Sequence, residues 1–80
     1  DEERRREMAK RIGKMLEEEK TALRNMRRES KEFIEELEKE KEITEDDKFS
    51  GLEKLQGLLD EHVKRIEELA AAKEKEILER

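Results

Sequence analysis

The chain has 80 residues, enough for one small domain whose core is near the lower size limit for stability. Charged residues make up 56% and hydrophobic residues 31%, proportions that indicate disorder unless the sequence is periodic. These residues include no cysteine, which excludes disulfides and thiolate metal sites, and no apolar run of the ~20 residues that span a bilayer. The net charge of −5 conceals an asymmetry, because residues 1–31 hold 11 Lys/Arg against 8 Asp/Glu.

Apolar and small residues recur every three or four positions in the first half, as they do on one face of an amphipathic helix. This stripe centres near Met26 and Leu37, and its members are Met8, Ile12, Met15, Ala22, Met26, Ser30, Phe33 and Leu37, with Leu16, Leu23 and Ile34 beside it. Asp1, followed by two glutamates, supplies an N-cap and favourable charge at the start. We predict a first helix over about residues 2–42.

A capping-box pattern punctuates the middle of the chain. Thr44 can cap a new helix, and Asp47 stands at the third helical position where it can complete the box. A second stripe follows, made of Leu52, Leu55, Leu59, His62, Ile66, Leu69, Lys73 and Ile77. We therefore predict a turn at about residues 43–45 and a second helix over about residues 45–79.

Two long helices joined by a tight turn must lie antiparallel. The predicted fold class is all-α, an antiparallel, coiled-coil-like two-helix hairpin that forms a single helical domain over residues 1–80. Two helices cannot bury a stripe as wide as the one on the first helix. We therefore expect a third helix, from elsewhere in the protein or from a second copy, to complete a bundle.

Five basic residues gather on the first helix, about 130° around its axis from the apolar stripe. We call them the cation cluster; its members are Lys20, Arg24, Arg27, Arg28 and Lys31. Five cations on one ridge can follow a track of phosphates, and guanidiniums can hold two phosphate oxygens at once. A rigid helix presenting them suits folded RNA, where backbone contacts dominate. The alternative interpretation is an ordinary solvated face.

Catalysis and metal binding are not indicated. His62 is the sole histidine, and we expect it to be a half-buried packing residue because its acidic neighbours point away from it. Adjacent glutamate pairs do not face one site, and no phosphate loop or nucleophile motif is present. We predict no enzyme activity, no catalytic residues, no metal ligands and no cofactor. Basic residues near the start are interspersed with acids and lack Trp and Phe partners, which argues against membrane binding.

Three ordered segments resemble the helical domain of the ribosome recycling factor family. The first is similar to the family's second long helix, and it reads EERRREMAKRIGKMLEEEKTALRNMRRES, including an R-N-x-R-R segment. The next, EKEITEDD, resembles the turn between long helices. The last resembles the terminal helix and reads LQGLLDEHVKRIEELAAAKEKEILE. The family's fold is a three-helix bundle with a β domain inserted between its first and second helices; we expect both that first helix and the β domain to be absent here.

The resemblance implies a translation factor that docks on rRNA of the large ribosomal subunit. With elongation factor G, which hydrolyses GTP, the family disassembles ribosomes after termination. Arg24, Arg27 and Arg28 match the R-N-x-R-R segment at the family's contact surface, and without the β domain we expect binding but no splitting. The implied location is the bacterial cytoplasm, with a plastid or mitochondrion as the alternative.

A different class of function stays open beside this one. The hairpin, as a fragment or an engineered piece, would then be an interaction module that forms a homodimer through its apolar stripes and has no RNA role. Salt separates the two interpretations, because phosphate contacts weaken steeply as salt rises and apolar association does not.

Overall fold

Two long helices form the fold in a computed structural model that describes residues 1–79. Helix α1 spans Glu2–Lys39 and helix α2 spans Glu45–Leu78. Contacts between them run in reverse order, since Lys20 meets Glu67 and Glu38 meets Lys48 nearer the turn. The predicted all-α antiparallel hairpin is confirmed.

Both helices begin at the residues that the capping signals predict. The Asp1 carboxylate accepts a hydrogen bond of 2.8 Å from the backbone N–H of Arg4. At the second start, the Asp47 N–H donates to the Thr44 hydroxyl oxygen at 3.0 Å, and the Thr44 N–H donates to the Asp47 carboxylate at 3.1 Å. The capping box is therefore complete, and it satisfies two backbone donors that have no partner within the helix.

Helix α1 ends at Lys39, before the predicted end at about residue 42. The backbone turns at Lys41, which has a φ of 61°. The Glu42 N–H donates to the Leu37 carbonyl at 2.9 Å, and the Lys41 N–H donates to the Glu38 carbonyl at 3.0 Å. This pair of bonds is the Schellman motif, which normally has glycine at the left-handed position. Because a lysine occupies that position, the sequence carries no signal for the early end.

The hydrophobic core is a thin seam between the helices. Leu23 of α1 is 7% exposed and Leu59 of α2 is 8% exposed, and no other hydrophobic residue in the described part is as buried. The Cα radius of gyration is 18.1 Å, against about 12 Å for a compact domain of this length. The molecule is therefore a rod, with principal extents of 60 × 16 × 9 Å.

The single apolar stripe predicted on α1 is divided in two. Leu16, Leu23 and Ile34, which we expected beside the stripe, face α2 and are buried or half-buried. Large side chains of the predicted stripe are exposed instead, among them Met15 at 63% and Phe33 at 64%. The divided stripe agrees with the expectation that two helices cannot cover its full width.

An open apolar face lies on one side of the seam. Its α2 part includes Leu69, which is 67% exposed and lines a shallow groove together with Met15 and Ile66. We call this surface the open apolar face; its exposed members are Met8, Met15, Met26, Phe33, Leu58 and Leu69. His62 is exposed as well, so the expectation of a half-buried packing histidine is wrong for this hairpin.

Neither helix could cross a bilayer, since no stretch within residues 1–79 is long and apolar enough.

Candidate nucleic-acid interface

The cation cluster lies along the edge of α1 on the other side of the seam from the open apolar face. Lys20, Arg24 and Arg27 line one shallow groove of about 240 Å³ with Gln56 and Asp60 of α2. Leu23, Leu59 and Val63 form the floor of that groove. The helical wheel placed the five cations away from the core, but the groove shows that three of them border α2.

Lys20 is tied into the hairpin. Its ammonium donates a 2.9 Å hydrogen bond to the Glu67 carboxylate of α2 and lies 3.7 Å from the Glu17 carboxylate. Its side chain is only 21% exposed. The hydrogen bond that Lys20 donates to Glu67, helped by the charges of Glu67 and Glu17, raises the pKa of Lys20 above its ordinary value of 10.5. Much of the positive charge of Lys20 is therefore balanced by carboxylates of the chain itself.

Arg27 is held by an amide. Its Nε–H donates to the Gln56 side-chain oxygen at 2.7 Å, and the Gln56 side-chain nitrogen donates to the Asp60 carboxylate at 2.8 Å. Neither terminal nitrogen of the Arg27 guanidinium has a partner among residues 1–79. The two terminal NH₂ groups can therefore donate to a bound ligand.

Arg24 is supported from its own helix. One terminal NH₂ group donates to the Thr21 hydroxyl oxygen at 3.0 Å, and the Thr21 hydroxyl donates to the Glu17 carbonyl at 3.0 Å. Arg28 and Lys31 are exposed, and no hydrogen bond or ion pair joins them to another described residue. The cluster thus combines cations in fixed positions with cations that extend into solvent.

Four polar residues of this site were not singled out from the sequence: Thr21, Gln56, Asp60 and Glu67. Thr21 could have been found, because a threonine three residues before an arginine on a helix lies beside it. The other three belong to α2, and their pairing with α1 depends on the alignment of the two helices. No sequence signal specified that alignment.

The described residues contain no group of three His, Cys, Asp or Glu side chains arranged to hold a metal ion. The geometry around the cluster instead suits anions: three guanidiniums and two ammoniums lie along three helical turns, and polar side chains hold three of these cations in place.

The described residues thus form a long helical hairpin with a basic edge beside its seam. The family model described as "Ribosome recycling factor" matches residues 1–78. The chain belongs to the ribosome recycling factor family.

Curated relatives agree with this assignment. The chain is 47% identical over 78 residues to a ribosome-recycling factor of Desulfosudis oleivorans, covering 98% of the chain and 42% of the relative. It is 51% identical over 77 residues to that of Syntrophobacter fumaroxidans, covering 96% of the chain and 42% of the relative. It is 46% identical over 78 residues to the ribosome-recycling factor of Symbiobacterium thermophilum, covering 98% of the chain and 42% of the relative. The chain therefore spans about two fifths of the length of these relatives.

Proposed function

We propose that this chain is the rRNA-docking module of a ribosome recycling factor, and that its cation cluster contacts backbone phosphates of the large ribosomal subunit. The observation that carries the proposal is the groove in which polar side chains hold Arg24 and Arg27. Arg24 keeps one terminal NH₂ group available for a ligand, and Arg27 keeps both. From Lys20 to Lys31 the cluster extends about 16 Å along the helix, at 1.5 Å per residue. Such a row can meet several successive phosphates.

The proposed role is binding without catalysis, since the family consists of translation factors and not of enzymes. Docking would place the hairpin on the large subunit after termination, in the bacterial cytoplasm. Disassembly with elongation factor G would need contacts that the hairpin alone does not supply. We therefore expect these 80 residues to bind large subunits without splitting ribosomes.

The test is binding to isolated large ribosomal subunits across a salt series. The parent chain is compared with the triple variant Arg24→Ala/Arg27→Ala/Arg28→Ala and with Lys64→Ala/Arg65→Ala/Lys73→Ala, which removes three cations of α2. Each lost phosphate contact should lower the slope of log K against log salt by about 0.7–0.9. We expect a loss of binding in the first triple variant and near-parent binding in the second. Equal losses of affinity in the two triple variants would show that binding depends on total positive charge and not on the cluster. Binding as tight as the parent's in both variants would overturn the proposal.

A second function is favoured by a separate observation, the open apolar face. Six large apolar side chains exposed on one side of a helical rod are typical of a surface that packs against a partner. We propose that in the isolated chain this partner is a second copy. The charges beside the face support that occupant, because Arg4 and Arg11 flank it near the free ends and Glu29 and Glu36 flank it near the turn.

Two hairpins packed antiparallel to one another would bring these opposite charges together at both ends. The product is a four-helix bundle with a two-fold axis, in which each apolar face covers the other. Sedimentation equilibrium of the chain between micromolar and millimolar concentration tests this association. A monomer throughout that range would overturn it, and a dimer that persists in high salt would support apolar packing as its main source.

A further inference from the structure

A chain of two hydrogen bonds connects the helices beside the cation cluster. Arg27 donates its Nε–H to Gln56, and Gln56 donates its amide to Asp60. The two bonds fix the Gln56 amide in one orientation, because the reverse orientation would set an NH₂ group against Nε–H and an oxygen against a carboxylate. Gln56 is half-buried, which further limits its movement.

The contact to Gln56 holds Arg27 without neutralising it. A carboxylate in the same place would form a charge-assisted pair with the guanidinium and compete with a phosphate for it. A neutral amide oxygen takes only the Nε–H, so that both terminal NH₂ groups stay available for a bidentate contact. The negative charge of Asp60 does not contact Arg27 directly. It lies on the far side of the Gln56 amide, which it orients and polarises.

Lys20 provides the contrast within the same groove. Its ammonium is bonded directly to the Glu67 carboxylate at 2.9 Å. A phosphate could recruit Lys20 only in competition with that carboxylate. Two cations of one cluster are therefore prepared differently: Arg27 is positioned and available, whereas Lys20 is positioned and occupied.

We propose that Gln56 and Asp60 of α2 are positioning residues that pre-order the Arg27 guanidinium for phosphate binding. The proposal rests on the proposed docking function and adds to it. Ordering a long side chain before binding removes part of the entropy that binding would otherwise cost. The contact surface is thus built from both helices, although the phosphate-binding cations all lie on α1.

The experiment measures large-subunit affinity and its salt slope for the parent, Gln56→Ala, Arg27→Ala and the double variant. Gln56→Ala should weaken binding about three- to tenfold with an unchanged slope, since no cation is lost. Arg27→Ala should weaken binding and lower the slope by about 0.7–0.9. In the Arg27→Ala background the Gln56 change should have no further effect. His62→Ala, on the other side of α2, is the control and should bind as the parent does.

A conservative exchange separates positioning from simple folding effects. Gln56→Glu together with Asp60→Asn keeps the net charge and the two-bond pattern, because the new carboxylate accepts from both neighbours. Because the new carboxylate holds Arg27 but also competes with phosphate for the guanidinium, we expect this pair to fold as the parent does and to bind large subunits more weakly than the parent. Parent affinity in this pair would contradict the role given to the neutral amide. In the free chain, NMR should show a protected Arg27 Nε–H resonance that Gln56→Ala exposes to exchange with water.

The outcomes distinguish this proposal from the one on which it rests. If the Arg24/Arg27/Arg28 triple variant abolishes binding but Gln56→Ala leaves it intact, only the positioning role is overturned. A Gln56→Ala effect that is undiminished in the Arg27→Ala background overturns it too. A parent chain that does not bind large subunits at all overturns both proposals.

Discussion

Lys20 and Glu67 are joined by a 2.9 Å ion pair although 47 positions separate them in the sequence. The pair crosses the seam between α1 and α2. It lies along the same side of the hairpin as the Arg27–Gln56 contact of 2.7 Å. Together the two contacts fix how the helices are aligned along their length. They also set how many donors of each cation remain available to the partner that we propose.

The Lys20–Glu67 pair predicts a change of stability at alkaline pH. Because Glu67 raises the pKa of Lys20 in the folded chain, the pair stabilises the fold from neutral pH up to about 10.5, the ordinary pKa of lysine. Its contribution is lost as pH rises through the higher, folded-state pKa. The melting temperature of the parent should exceed that of Lys20→Met by a constant margin from pH 7 to 9.5, and the margin should shrink steadily as pH rises beyond 10.5. Lys64→Met, which removes an unpaired lysine, should show no such margin, and a margin that survives to pH 12 would contradict the assignment.

A second prediction concerns the turn. Lys41 has a φ of 61°, a left-handed conformation that strains any residue with a Cβ and that glycine adopts freely. Lys41→Gly should therefore raise the free energy of unfolding by about 0.5–1 kcal/mol. Urea denaturation followed by circular dichroism measures it. Lys41→Ala is the control for lost charge and should show no gain; a gain of the same size there would assign the effect to charge instead of backbone strain.

Glycine inside α2 offers a third prediction. A Cβ built at Gly57 meets no atom within 4 Å, and its φ is not positive. Gly57→Ala should stabilise the chain by about 1 kcal/mol, because alanine loses less conformational freedom in a helix. Gly51→Ala should gain at least as much, since its Cβ would lie 3.8 Å from a methyl of Ile34, an ordinary packing distance. A loss of stability in either variant, measured by urea denaturation, would show that the backbone there is held in place for another reason.

The open apolar face gives a fourth prediction. Met15→Glu and Leu69→Glu place charges in the centre of the surface that we propose pairs two copies. Each should shift the chain toward monomer in sedimentation equilibrium, and neither should alter large-subunit binding, because the cation cluster lies on the other side of the seam. Ala71→Glu, an exposed position of α2 away from that face, is the matched control. A dimer that is as stable in Leu69→Glu as in Ala71→Glu would place the interface elsewhere.

The starts of both helices were predictable because capping is local. Asp1, Thr44 and Asp47 each lie within three residues of the N–H that they satisfy, so the pattern of letters contains the whole interaction. The end of α1 was not predictable in the same way. Its signal would have been glycine, and the chain adopts the left-handed turn with Lys41 instead.

The division of the apolar stripe could not be predicted from the sequence, for a different reason. A helical wheel gives the angle of each side chain but not the angle at which a neighbouring helix approaches. Leu23 and Met26 differ by only about 60° on the wheel, and the approach of α2 buries the first and leaves the second exposed. The contact of Arg27 with Gln56 depends on the same approach. The cation cluster itself could be predicted from spacing, whereas its supports could not.

The small core has a consequence for how the hairpin unfolds. With only Leu23 and Leu59 buried within the described residues, unfolding the isolated hairpin would expose little new apolar surface. The dependence of its stability on denaturant and its heat-capacity change should both be small, with a urea slope near or below 1 kcal/mol per molar and a broad melting curve. A partner seated on the open apolar face would add surface to be exposed and so sharpen the transition. The steepness of a melting curve therefore reports whether that face is covered.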